Sequence, residues 1–150
     1  MRCDLSDILK VSRVLDDDSV HIPVNGFRCR REGETACGLL SHPGIFVLMP
    51  NEGSVFAFVP YNEHLFNVHL GILPEYRGKV AIAACKDAFA WMFANTDCIK
   101  IIGLESVKHR AAIRFITSLG VDREGTLKGA CYHNGVSTDM AVFGYCKPCA

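Results

Sequence analysis

The chain has no apolar run longer than a β-strand. Stretches such as residues 45–49 and 55–60 are far too short to span a bilayer, which argues against a helical membrane protein. It has no excess charge either. Sixteen Lys and Arg balance sixteen Asp and Glu, so no basic surface points to nucleic acid or to a membrane. Met1-Arg2-Cys3-Asp4 is not followed by a long apolar block, so no secretion signal is read. Eight cysteines are many for 150 residues, and without such a signal they are expected as reduced thiols in the cytoplasm. Zinc is poorly served. Cys146-Lys147-Pro148-Cys149 is a C-x-x-C pair with no second pair and no H-x₃-H. Cys29 and Cys37 would join it only by coincidence of folding, and no metal is expected. Cys85 and Cys98 sit among apolar neighbours and read as small core residues.

With 49% hydrophobic and 21% charged residues, the composition is that of a globular chain, long enough for one domain with a core of its own. Residues 4–15 carry apolar positions compatible with a short helix, which Asp16-Asp17-Asp18 ends. Residues 19–43, rich in Gly and Pro, read as loop with at most one short helix. Residues 44–61 form a hairpin around Pro50-Asn51-Glu52-Gly53, and a third strand follows over 64–72. Its even positions are mostly core, while its odd positions include Asn67 and His69 and so face something polar.

The best helix spans residues 77–95, with Ala81, Ala84, Cys85, Ala88, Phe89 and Met92 on one stripe. A strand over 98–104 and a helix over 107–119, stopped by Gly120, come next. Two strands, 121–128 and 140–146, close the pattern around a turn at Asn134-Gly135. A strand–helix–strand unit flanked by hairpins predicts a mixed, mostly antiparallel α+β sheet with helices on both faces.

Residues 67–80, NVHLGILPEYRGKV, are the most informative segment. A strand runs through Pro74 into Arg77-Gly78-Lys79 and a helix. Such a junction offers free N–H groups, the positive end of the helix dipole and two cations, a receptor for a phosphate or pyrophosphate. The same residues would also suit an ordinary helix start with surface cations.

This order of elements, with PEYRGK opening the central helix, resembles the GNAT superfamily of acyl-coenzyme A-dependent N-acyltransferases. The segment ESVKHRAAIRFITSLGVDREGTLKG is similar to the late helix and following strand of that superfamily. NGVSTDMAVFGY resembles its last hairpin. The likeness covers residues 44–146; residues 1–43 carry no recognisable signal and 147–150 read as a tail. Small members, phage-encoded ones included, look closest.

The resemblance implies acetyl-coenzyme A as co-substrate, bound through main-chain N–H groups of Arg77, Gly78, Lys79, Val80, Ala81 and Ile82. It implies that Leu73 pairs its backbone with the pantetheine arm and polarises the thioester carbonyl, and that Gly71 marks a bulge that splays the central strands. The acceptor would be an amine on a protein or small molecule, attacking directly, and a homodimer is compatible with the pattern.

His69 reads as the proton acceptor or as a structural histidine in the sheet. Glu105 is the rival base or a solvated loop charge. His109 stands where the superfamily usually has asparagine and would contact the coenzyme arm, or face solvent. Asn67 would position substrate or water, and Tyr132 would border the acceptor pocket. The chain departs from the pattern in three ways. Val80 and Ile82 occupy small-residue positions of the phosphate loop. Ile116 replaces the tyrosine that protonates the leaving thiolate. The usual first strand is hard to find. A catalytically inactive acyl-coenzyme A-binding or protein-interaction module is therefore the alternative, and a cysteine-based metal or redox module a third class.

Overall fold

The computed structural model describes residues 1–20 and 33–149. The helices are α1 (Ile8–Leu15), α2 (Glu34–Ser41), α3 (Lys79–Asn95) and α4 (Arg110–Ser118). The strands are β1 (Phe46–Asn51), β2 (Ser54–Pro60), β3 (Leu65–Ile72), β4 (Lys100–Ser106), β5 (Asp122–His133) and β6 (Val136–Cys146). They form one sheet in the order β1-β2-β3-β4-β6-β5. Only β3 and β4 run parallel, joined by α3; every other pair is antiparallel. The mixed α+β sheet expected from the sequence is present.

Alternation along the strands divides the sheet into two faces. Phe56 and Phe58 of β2 pack with Phe66 of β3, Ile101 of β4 and the stripe of α3, and Phe115 of α4 and Leu119 just past it join them. Val47 and Val55 pack on the other face with Val11 and Val14 of α1 and Ala36 of α2. Helices therefore cover both faces.

The apolar stripe of α3 is buried as its spacing predicts. The helix itself starts at Lys79 rather than at 77, after a 3-10 turn at Pro74–Tyr76. Gly78 precedes it with φ 73° and ψ −135°, a conformation that favours glycine. A Cβ on Gly53 would overlap the Tyr76 ring, so the β1–β2 turn and the segment leading into α3 are locked together.

Residues 1–3 supply what remains of a first strand. Arg2 bridges Leu48, Cys3 N–H donates to Val47 O at 2.8 Å, and Met49 N–H donates to Met1 O at 2.7 Å. One bridge is too short to leave a strand pattern in a sequence. β5 and β6 are longer than predicted, meeting at Asn134 (φ 49°) and Gly135 (φ 77°), the two left-handed positions of a tight hairpin turn.

Candidate active site

β3 and β4 pair at Leu65↔Lys100, Phe66↔Ile101 and Asn67↔Ile102, and then part. Each keeps its outer partner: β3 stays paired to β2 as far as Ile72↔Ser54, and β4 to β6 as far as Ser106↔Met140. A wedge opens between them at their C-terminal ends. Its β3 wall can be read from the hydrogen bonds. Tyr61 N–H donates to Leu65 O and Leu73 N–H donates to Gly53 O, both at 2.9 Å, so odd-numbered residues turn their backbone toward β2. Even-numbered residues turn toward β4, which leaves the N–H groups of Leu70 and Ile72 on the wedge.

Two expectations change here. Leu73 cannot present its backbone to a pantetheine arm or polarise a carbonyl: its N–H is used by Gly53 O, and its C=O accepts from Tyr76 N–H at 2.9 Å. The N–H groups that face the wedge are those of Leu70 and Ile72. Gly71 marks no bulge, since it pairs in register with Val55. Its small size serves packing: a Cβ there would stand 2.9 Å from Leu15 Cδ2 and 3.1 Å from Val20 Cγ1.

Past the wedge, the start of α3 is partly as expected. Arg77 N–H donates to Pro74 O at 3.3 Å and Ile82 N–H to Gly78 O at 3.1 Å, so neither is free. Among the described residues, the N–H groups of Gly78, Lys79, Val80 and Ala81 have no protein partner and precede the first helical bond. The Arg77 side chain folds back, its Nε donating to Ile72 O at 3.4 Å and its Nη2 to Ser19 O at 3.3 Å. It braces the strand end instead of supplying an unengaged cation. Lys79 is exposed, and so is Val80. Four convergent donors at the positive end of a 17-residue helix fit a diphosphate.

Asn67 and His69 lie on the α1–α2 face of β3. Asn67 is 9% exposed, and its Nδ2 donates to His69 Nε2 at 3.2 Å. Its Oδ1 is fully shielded and has no partner among the described residues. The bond occupies the Nε2 lone pair, so the neutral ring carries its proton on Nδ1. Nε2 is then the one basic nitrogen of the ring, so proton uptake, direct or through water, requires the Asn67 amide to give way. Solvent reaches the ring edge, yet the protein packed around it disfavours the charged form and lowers the His69 pKa below the ordinary 6.5.

Glu105 is on the opposite face. The register puts it in line with Ile101 and Gly103, on the α3–α4 side. His69 and Glu105 are therefore not rivals for one proton. Glu105 Oε1 accepts from Ser106 N–H at 2.9 Å and from His109 Nδ1 at 3.2 Å. His109 caps α4, with its own N–H donating to Ser106 O at 3.0 Å. The spacing of four between Glu105 and His109 was the available signal for this pair, but a strand end and a turn separate them, so helical periodicity does not reveal it.

Tyr132 is not brought to the wedge. It is 80% exposed near the tip of the β5–β6 hairpin, on β5, with β4 and β6 between it and β3. Two surface cavities also lie elsewhere: one of about 330 Å³ beside Arg2, Cys3 and His42, the other of about 350 Å³ against Phe89, Phe93 and Tyr145. Among the described residues, no group of three His, Cys, Asp or Glu side chains is placed to hold a metal, and no helix is long and apolar enough to cross a membrane. Cys29 lies outside the described residues.

A sheet parted between its two parallel strands, with an open helix N-terminus beside the gap, can be compared with solved structures. This is the GNAT N-acyltransferase fold. A ribosomal-protein-S5-alanine acetyltransferase from Vibrio fischeri superposes with a TM-score of 0.71 at 19% identity, over 99% of this chain and 94% of the other. A spermidine N-acetyltransferase from Vibrio cholerae in complex with CoA and spermine gives 0.75 at 15% identity, over 97% and 93%. An acetyltransferase of the GNAT family from Streptococcus pneumoniae gives 0.72 at 13% identity, over 98% of each chain. At these identities the likeness concerns the fold. No family model and no curated protein sequence matches the chain.

Proposed function

We propose that this GNAT-fold chain moves an acetyl or other short acyl group from coenzyme A to an amine by direct attack. The observation that carries the reading is the parting of β3 from β4 after Asn67↔Ile102, beside four N–H groups at Gly78–Ala81 that have no partner among the described residues. The N–H groups of Gly78, Lys79, Val80 and Ala81 hold the diphosphate. Leu70 and Ile72 donate N–H groups to the acyl-bearing arm, and one of them polarises the thioester carbonyl. The amine arrives from the α1–α2 face. His69, kept neutral, takes the proton of the amine on Nε2 as the Asn67 amide gives way. Holding the two reactants in this geometry supplies much of the rate. A structural neighbour that holds CoA and spermine makes an amine acceptor the natural class; proteins and small molecules both qualify.

The test is a calorimetric titration of coenzyme A, followed by thiol release from acetyl-coenzyme A with a panel of polyamines and peptide α-amines. Binding of coenzyme A that weakens about tenfold in Gly78→Ala, because the cradle backbone is strained by roughly 1–3 kcal/mol, supports the cradle. Absence of coenzyme A binding in the wild type overturns the reading. Binding without thiol release across the panel favours the second reading, a coenzyme A-binding module without chemistry, which Ile116 at the usual tyrosine position motivates.

A further inference from the structure

We propose that His109 protonates the departing thiolate and that Glu105 positions it, an inference that rests on the acyl-transfer reading above. The wedge separates two proton-handling pairs. Asn67 and His69 stand on the α1–α2 face, where the amine enters. Glu105 and His109 stand on the α3–α4 face, the side of the helix whose N-terminus holds the diphosphate, and so the side toward which the coenzyme leaves.

The Glu105–His109 pair is built as a proton donor. A carboxylate can only accept, so His109 Nδ1 must carry hydrogen in their 3.2 Å bond, which leaves Nε2 as the nitrogen that gives or takes the second proton. Glu105 is itself pinned by Ser106 N–H, and the His109 backbone is pinned to Ser106 O, so strand end and helix start hold the ring from both sides. Among the described residues, Nε2 has no partner. The ring is half-exposed and can be recharged with a proton from solvent.

In the step, the amine nitrogen bonds to the acyl carbon as the carbon–sulfur bond breaks. The electron pair of that bond goes to sulfur, which takes the proton from His109 Nε2. The proton lost from the amine nitrogen leaves by the His69 side. Amide and free thiol result, and the next proton from water restores His109. This supplies the acid that the chain lacks at Ile116, from the residue that caps α4 seven positions earlier.

His109→Asn tests it, because asparagine can keep a contact to the coenzyme arm but cannot surrender a proton. The expected result is a loss of kcat of about 10²-fold or more, with coenzyme A Kd and amine KM within about twofold of wild type. Imidazole added to His109→Ala restores part of the lost kcat. Glu105→Gln lowers kcat by about tenfold or more, in the range of an outer partner that orients a ligand, and also leaves Kd unchanged. Thermal melting shows whether each variant folds, and His109→Gln stands in if His109→Asn does not. An active wild type matched by an equally active His109→Asn, or a variant whose kcat loss is only a loss of coenzyme A affinity, overturns this inference alone. A wild type that binds coenzyme A and releases no thiol overturns acyl transfer as well.

Discussion

Asn67 and His69 are polar residues in the middle of a strand, and such residues need a reason to be there. A shielded acceptor without a partner costs about 1–3 kcal/mol, so Asn67 Oδ1 is held against its own stability. Together with the lowered pKa of His69, it makes a small uncharged polar site on an otherwise apolar face. A pH titration followed by NMR should place His69 below 6.5. The sign for stability follows. The unfolded chain binds the proton more readily than the folded one, so stability falls as pH drops through the window just below 6.5 and is recovered above it. His69→Gln should flatten denaturation midpoints across that window; a midpoint profile that the substitution leaves unchanged would refute the assignment. His69 was legible in the sequence because it alternates with core residues. Its partner atom was not, because a hydrogen bond from Asn67 Nδ2 to Nε2 depends on rotamers that alternation does not specify.

Helix α3 was legible almost residue by residue, since a 3.6-residue stripe records which side is buried. Its start was not, and the two residues expected to open it lie before it. Arg77 and Gly78 carry no periodic signal, and whether the chain enters a helix through a 3-10 turn is settled by the Tyr76 ring against Gly53. The same holds for Leu73, whose N–H was expected in the wedge and is instead spent on the β1–β2 turn. Gly71 gives a sharp test of how α1 sits on β3. Gly71→Ala should lower stability by about 1–3 kcal/mol, because an added methyl group must displace Leu15 and Val20 from a packed face. Urea denaturation measures it; a neutral result would mean that α1 docks more loosely than the contacts require.

Across the whole chain, support for the sheet is uneven. β2 and β3 are flanked by strands and by helices on both faces, whereas β5 is an edge strand with most of its residues exposed. β6 meets β4 only from Met140 onward, so the last hairpin extends past the sheet with no third strand beside it. Isolated two-stranded hairpins are marginal in water. In native-state hydrogen exchange, amides over 129–137 should therefore exchange first, and those at 55–58 and 66 last. Protection of the hairpin tip equal to that of β2 would show that something covers it in solution.

Alternating and helical spacing in the residues already specify two hairpins, a parallel unit and the helix at the phosphate cradle, because burial of apolar side chains imposes those periods on any compact chain. Which backbone groups stay unpaired is not a periodic property. It arises when β3 and β4 each keep an outer partner and lose one another, and when Glu105 and His109, on different elements, meet across a turn. Those are long-range outcomes of packing, and they set the chemistry this chain can do.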